Sequence, residues 1–253
     1  MGVVAVTGSA GGLGGAIRRR IEAAGHRVLG VDLRDAEVIA DLSNNEGRAA
    51  ACAAVIEQAA TLDGLVVAAG IGGSTSAPPA MVARINYFGA VELLEGLHDH
   101  LLGGELRAAV AIVSNSATAM PVGEHPLIDA CLAGDEDAAG AATEGVDGEI
   151  VYAFSKLALG RKLRRLAVAW APELRVNGVA PGPVLTPLTE AALQHPVTGE
   201  AIQAFPVPMD RWGEKDEIAE ATWFLLSPQS SWTTGAVLFV DGGTDALLNP
   251  DRL

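Results

Sequence analysis

The chain has 253 residues, 49% of them apolar but only 4% aromatic, and carries a formal charge of −14 from 17 basic and 31 acidic side chains. That length and apolar content fit one globular α/β domain with a large core and exclude a disordered chain. The acidic balance would repel phosphodiester backbones and anionic bilayers, which excludes nucleic acid and membrane surfaces as partners.

Cys52 and Cys131 stand in Ala-rich, helix-like surroundings with no Cys or His at metal-ligand spacing, which predicts two free thiols in a reducing compartment and no metal site. A core strand is expected from residue 2, with no charged and apolar leader before it. Gly2 is not followed by the Ser or Thr that myristoylation wants at position 6, where Val6 stands. Charges and glycines interrupt every apolar run before it reaches membrane-spanning length. A cytoplasmic protein is expected.

In chain order the first predicted strand is "VVAVT" at 3–7. "TGSAGGLGGAI" follows it and opens a predicted helix at 13–24. Glycines there permit a tight turn and let a phosphate approach the amides of a helix N-terminus, where the dipole favours an anion. The second strand, 26–32, ends at Asp32, eighteen residues after Gly14, where a carboxylate can accept hydrogen bonds from an adenosine ribose diol and would repel a 2′-phosphate. Gly11 occupies the natural place for a basic residue in the loop, and Arg34 is the nearest cation. The cofactor expected is therefore NAD, in preference to NADP. A plain strand-end carboxylate is the alternative reading of Asp32.

Further strands are predicted at 37–42, 64–70, 108–114, 174–182 and 236–243, and helices near 46–60, 80–102, 152–170 and 216–227. The strands are apolar without strict alternation, as in sheets buried on both faces. The repeated strand–helix order predicts a single-domain Rossmann-type, doubly wound parallel sheet of about seven strands flanked by helices. Two segments break the rhythm: an acidic, Ala/Gly-rich excursion at 119–150 and an apolar, Pro-punctuated stretch at 183–210. Segments of that length in a compact domain tend to be lids, interface elements or disordered.

"VYAFSKLALG" at 151–160 holds one of two tyrosines and one of three lysines, Tyr152 and Lys156, at i and i+4 on one helix face. An ammonium beside a phenol, helped by a positive nicotinamide ring, would favour the phenolate and bring a group with a pKa of about 10 toward the working range. Chance alone gives that spacing in about one such sequence in forty, so the pair by itself also fits a packing tyrosine beside an exposed lysine.

Across essentially its whole length the sequence resembles the classical short-chain dehydrogenases/reductases. "TGSAGGLG" fits their Thr-Gly-x-x-x-Gly-x-Gly motif at Thr7, Gly8, Gly12 and Gly14, with Leu13 between. Asp32 matches the NAD-type acid, and Asp41-Leu42 matches the pair that flanks adenine. Asn86 looks like the helix asparagine that supports a water relay to the active-site lysine. Ser114, at the end of the fifth strand, fits the serine that holds the substrate oxygen, and Ser116 is its rival. Pro181, Gly182, Val184 and Thr186 would contact the nicotinamide half. Two departures stand out. Val67-Ala68-Ala69-Gly70 replaces the usual Asn-Asn-Ala-Gly, leaving Ala69, Gly70 and the backbone to serve the cofactor, and Ser114 lies 38 residues before Tyr152, an unusually long interval.

The enlarged segment, with "INYFGAVELL" and residues 24–48, resembles in particular the bacterial 3α-hydroxysteroid dehydrogenase/carbonyl reductase type. That implies NAD-linked interconversion of a secondary alcohol and a ketone on hydrophobic or steroid-like substrates. Leu185, Leu188, Leu193, Phe205, Val207 and Met209 would form an apolar cover, of which Leu185, Leu188 and Met209, with Ser116, are the expected substrate contacts. Helices bearing Asn86 and Tyr152 often form the subunit interface in the family. A homo-oligomer, dimer or tetramer, is therefore expected, with 119–150 placed to redirect assembly. The alternatives are an acyl-thioester ketoreductase of the same family and a non-catalytic NAD-sensing regulator. Epimerase and dehydratase relatives usually carry a longer C-terminal substrate domain.

Overall fold

The seven apolar runs all pair in parallel. β1 (Val3–Thr7), β2 (Arg27–Asp32), β3 (Val38–Ile39), β4 (Gly64–Val67), β5 (Ala108–Ile112), β6 (Arg175–Pro181) and β7 (Val237–Val240) lie in the order 3-2-1-4-5-6-7. The computed structural model describes residues 2–252 apart from 75, 121–122 and 195–197. Each side of the sheet is apolar in its own right: Val4, Val6, Val66 and Val110 point into one cluster, and Ala5, Leu65, Val67, Ala109 and Ala111 into the other. Burial on both faces explains why the strands show no polar alternation.

α1 (Gly12–Ala23) packs on the first face; α2 (Asn45–Gln58) packs on the second. The helix expected at 80–102 is broken into α3 (Pro79–Ala83), a π-helical turn at Arg84–Gly89, α4 (Ala90–Gly96) and α5 (His98–Leu102). The wider turn falls on Asn86, and such bulges recur at functional sites.

The excursion at 119–150 is mostly helical. After α6 (Ser116–Ala119) come α7 (Pro126–Ala133) and α8 (Glu136–Ala141). Leu127, Ile128 and Cys131 form a fully buried stripe, Gly134 ends α7 in the left-handed region at φ 77°, and Asp135 caps α8 by accepting a hydrogen bond from the Ala138 amide. Glu124, Asp129, Asp135, Asp137 and Glu144 occupy the solvent side, which masked this helical pattern in the sequence. Both helices pack on the Tyr152 helix, α9 (Gly148–Ala169), or on α3. α9 starts four residues before the predicted boundary because Asp147 caps it, accepting from the Glu149 amide at 2.9 Å.

The stretch at 183–210 contains α10 (Pro187–Leu193) and α11 (Thr198–Gln203), with 195–197 outside the described residues. α12 (Lys215–Leu226) joins α1 on the first face, and α13 (Thr244–Leu248) follows β7. No helix among the described residues is long and apolar enough to cross a membrane. Both cysteines are free, and burial pushes the Cys52 thiol up to about 11 and the Cys131 thiol up to about 12. The strand order reverses between β1 and β4, which opens a crevice at the carboxyl ends of the strands.

Candidate active site

A cavity of about 660 Å³ fills that crevice, within the size range of cofactor pockets. At one end, Gly8 at φ +69° and Gly12 at φ +54° turn the chain from β1 into α1, conformations that L side chains rarely adopt. A Cβ on Gly14 would lie 2.1 Å from the Gly8 carbonyl oxygen, whereas one on Gly11 or Gly12 would meet open space. The loop is therefore packed tightly on its inner side and open toward the cavity, as a phosphate cradle requires.

Asp32 lines the same cavity, its carboxylate accepting from the Ala10 amide at 3.0 Å and the Leu33 amide at 2.7 Å. The acid is thus held against the loop. Leu13, Arg34, Asp41 and Leu42 line this end as well. Thr7 stands behind the wall, its hydroxyl oxygen accepting from the Ala68 amide at 3.0 Å and the Ala69 amide at 2.9 Å. That clasp holds the segment where the expected asparagines are missing and presents Ala69 and Gly70 to the cavity.

Ser114, Tyr152 and Lys156 meet at the other end. Ser114 and Tyr152 face the same end of the cavity, while Ser116 donates to the Ser114 oxygen at 3.0 Å and does not line the cavity. The two serines thus form a chain in which Ser114 faces the cavity. Burial raises the Tyr152 phenol above its ordinary value of 10.0, partly offset by the neighbouring Ser114 hydroxyl, with the Glu149 carboxylate adding to the rise.

Lys156 lies 5.9 Å from the Tyr152 ring centroid, donates to the Ile112 carbonyl at 2.8 Å, and is lowered by burial to about 8. In this structure desolvation dominates both partners: each is pushed toward its neutral form, and the phenol is not lowered as the bare spacing predicts.

Asn86 does not line the cavity. It accepts from the Ile71 amide and donates to the Ile71 carbonyl, both at 2.9 Å, fixing the strand-end segment that carries Gly70. Its side chain is therefore a brace, wholly engaged with Ile71. Pro181, Gly182, Val184 and Thr186 line the wall between the two ends. Gly182 is required by contact, since a Cβ there would sit 2.7 Å from the Asp241 Cα.

Of the apolar residues expected at the substrate, Leu188 lines the cavity, but Leu185 and Met209 do not. Val184 is pinned inward by a parallel bridge to Gly213, so the next residue along the extended chain, Leu185, turns outward and is 50% exposed. Met209 is held beside Gly242, donating its amide to the Gly242 carbonyl at 3.1 Å. Pattern reading missed Thr189, which lines the cavity and donates to the Val184 carbonyl at 2.7 Å, and Ile112, whose contribution is a backbone oxygen and carries no side-chain signal. Glu149 was also missed; placing it one turn before Tyr152 needed the true start of α9.

A family model described as NAD dependent epimerase/dehydratase matches residues 4–171, and one described as enoyl-(acyl carrier protein) reductase matches 138–245. The 3-alpha-hydroxysteroid dehydrogenase/carbonyl reductase of Comamonas testosteroni is 42% identical over the full length of both chains. Coniferyl-alcohol dehydrogenase from Pseudomonas sp. (strain HR199 / DSM 7063) is 30% identical over 95% of each chain. The crystal structure of the 3-alpha-hydroxysteroid dehydrogenase from Pseudomonas sp. B-0831, complexed with NADH, superposes with a TM-score of 0.96 at 44% identity, covering 99% of this chain and all of that one. With the glycine turn, Asp32 and the Ser114–Tyr152–Lys156 group in one cavity, this chain belongs to the classical short-chain dehydrogenases/reductases and is an NAD-linked oxidoreductase of the alcohol–ketone pair.

Proposed function

We propose that the protein oxidises secondary alcohols, or reduces the matching ketones, on hydrophobic, steroid-like molecules. The observation that carries this reading is the convergence of Tyr152, its Ser114 partner and Lys156 on one end of a cavity whose other end is the glycine turn and Asp32. NAD, when bound, supplies the hydride acceptor or donor. Gly11–Leu13 would hold its phosphates, Asp32 the adenosine ribose, and Pro181–Thr186 the nicotinamide side.

The chain's own residues handle the proton and the orientation. Tyr152 exchanges a proton with the substrate oxygen, Ser114 holds that oxygen, and Lys156 anchors the nicotinamide ribose and, together with the positive nicotinamide ring of bound NAD, would offset the burial that raises the phenol. Asn86 fixes Ile71, and through it the Gly70 segment beside Lys156. Leu188 and the 183–210 segment act as a lid that excludes water. Similarity to the two hydroxysteroid dehydrogenases supports the substrate class.

The test is NADH formation against a panel of secondary alcohols. The expected result is the highest kcat/KM with a 3α-hydroxysteroid, above its 3β epimer and above small polyols. Exclusive turnover of a 3-ketoacyl thioester would move the assignment to an acyl-thioester reductase, and turnover of none of them would overturn it. Asp32→Asn removes the charge that repels a 2′-phosphate. The ratio of kcat/KM for NAD to that for NADP is expected to fall at least about fivefold, since close like charges interact by about 1–4 kcal/mol.

We further infer a homodimer in a reducing cytoplasm. Packing of α7 and α8 on α9 and α3, which covers part of the face where a subunit contact is expected, supports this reading. β7, the sheet's edge strand, leaves Leu238 38% exposed, and adjoining α12 leaves Phe224 41% exposed, an apolar surface for a second copy.

A further inference from the structure

Among the described residues, Arg48 heads the fully buried side chains by size, and it is a cation at 0% exposure. Nothing in the reaction uses it. It stands on the first turn of α2, and its guanidinium meets groups from three other parts of the chain. Nε donates to Glu92 of α4 at 2.7 Å, and Nη2 donates to Glu136 of α8 at 2.5 Å and to Asn45 of its own helix. Nη1 reaches a second Glu136 oxygen and the Leu42 carbonyl, each at 3.4 Å. Arg84, from the π-helical turn, closes the network on Glu136 at 3.3 Å.

Leu42 belongs to the cavity wall. Its loop is clamped from two further sides: a Cβ on Gly47 would lie 1.9 Å from the Asp41 carbonyl oxygen, and one on Gly89 would lie 3.3 Å from the Leu42 carbonyl oxygen. A guanidinium taken wholly out of water stays in place only while its donors are met by carboxylates. Glu92 engages Nε alone, so Glu136 is the one carboxylate that meets the terminal nitrogens among the described residues, whose other acceptors, Asn45 and the Leu42 carbonyl, carry no charge. Without that carboxylate, Arg48 would turn toward solvent and release the Leu42 carbonyl.

We infer that Glu136 is a positioning residue for the cofactor: acting through Arg48, it sets the adenine-side wall at Leu42, so that the 119–150 segment governs cofactor affinity without touching the reacting atoms. This rests on the placement of adenine at Asp41 and Leu42. The dinucleotide can be tested in halves, by calorimetric or fluorescence titration of the full chain with NADH, ADP-ribose and reduced nicotinamide mononucleotide.

For Glu136→Gln the Kd for NADH and for ADP-ribose is expected to rise about tenfold, the size of one lost charge-assisted hydrogen bond. The Kd for the nicotinamide half and kcat at saturating NAD stay within about twofold. A general loosening of the fold would weaken both halves together, so equal losses, or unchanged ADP-ribose binding, overturn the inference. Should Glu136→Gln not fold, Arg84→Gln removes the half-exposed partner of Glu136 and is expected to weaken ADP-ribose about threefold with the nicotinamide half unchanged; no selective change overturns the coupling. Leu42→Ala separates this inference from the adenine placement. If it weakens ADP-ribose while Glu136→Gln does not, the coupling falls and the placement stands. If neither variant does, both fall.

Discussion

Tyr152→Phe is expected to lower kcat by about 10²–10⁴-fold, the range for a lost general acid/base, with the Kd for NADH unchanged within about twofold. The ring is partly buried in the wall of the cavity and packs against the core, so a phenyl group of nearly the same volume leaves the packing intact and removes only the hydroxyl. Single-turnover absorbance of NADH with the preferred alcohol measures the chemical step, and fluorescence titration measures binding. Near-normal turnover in the variant would remove Tyr152 from the proposed role. A joint loss of binding and turnover would instead mark the residue as part of the cofactor wall.

Lys156→Met is expected to abolish useful turnover while making the apoprotein more stable at pH 7 by about 2 kcal/mol. Burial lowers the Lys156 ammonium from 10.5 to about 8, which corresponds to a cost of about 3 kcal/mol for keeping it charged in the folded state. The Met side chain removes that cost but leaves the Ile112 carbonyl without its 2.8 Å donor, a loss of about 1 kcal/mol.

The sign follows from the direction of the shift. Below pH 8 the folded chain bears the full penalty of a buried charge; between 8 and 10.5 the unfolded chain binds more protons than the folded one, so wild-type stability rises with pH and the penalty disappears. The advantage of Lys156→Met is thus full at pH 7 and gone by about pH 10. Urea midpoints of the two apoproteins at these two pH values provide the check. A variant less stable than the wild type at pH 7 would show that hydrogen bonding to Ile112 outweighs desolvation.

Much of this site was legible because its chemistry is local in the chain. The glycine turn, Asp32 at a strand end and Tyr152 with Lys156 on one helix face follow from steric, hydrogen-bonding and periodic rules acting over a few residues. Seven apolar runs in alternation with helices likewise specified a parallel doubly wound sheet. Local rules failed where partners come from distant parts of the chain. No spacing foretold that Asn86 would brace Ile71, that Thr7 would replace the missing asparagines with its own hydroxyl, or that Leu185 would be turned outward by the Val184–Gly213 bridge.

The 119–150 segment shows the same division. Its acidic composition is a property of the surface it presents, whereas its structure comes from a narrow apolar stripe against α9 and a buried guanidinium contributed by α2. Sequence by itself determined the sheet, the glycine turn, the strand-end Asp32 and the placing of Tyr152 with Lys156 on one helix face, because each needs only nearest neighbours along a strand or helix. Tertiary structure alone decided the burial that shifts that pair, the choice of Ser114 over Ser116 at the cavity, and the tie from Glu136 through Arg48 to Leu42. Desolvation and long-range hydrogen bonding depend on what the fold brings together, which no single stretch of chain contains.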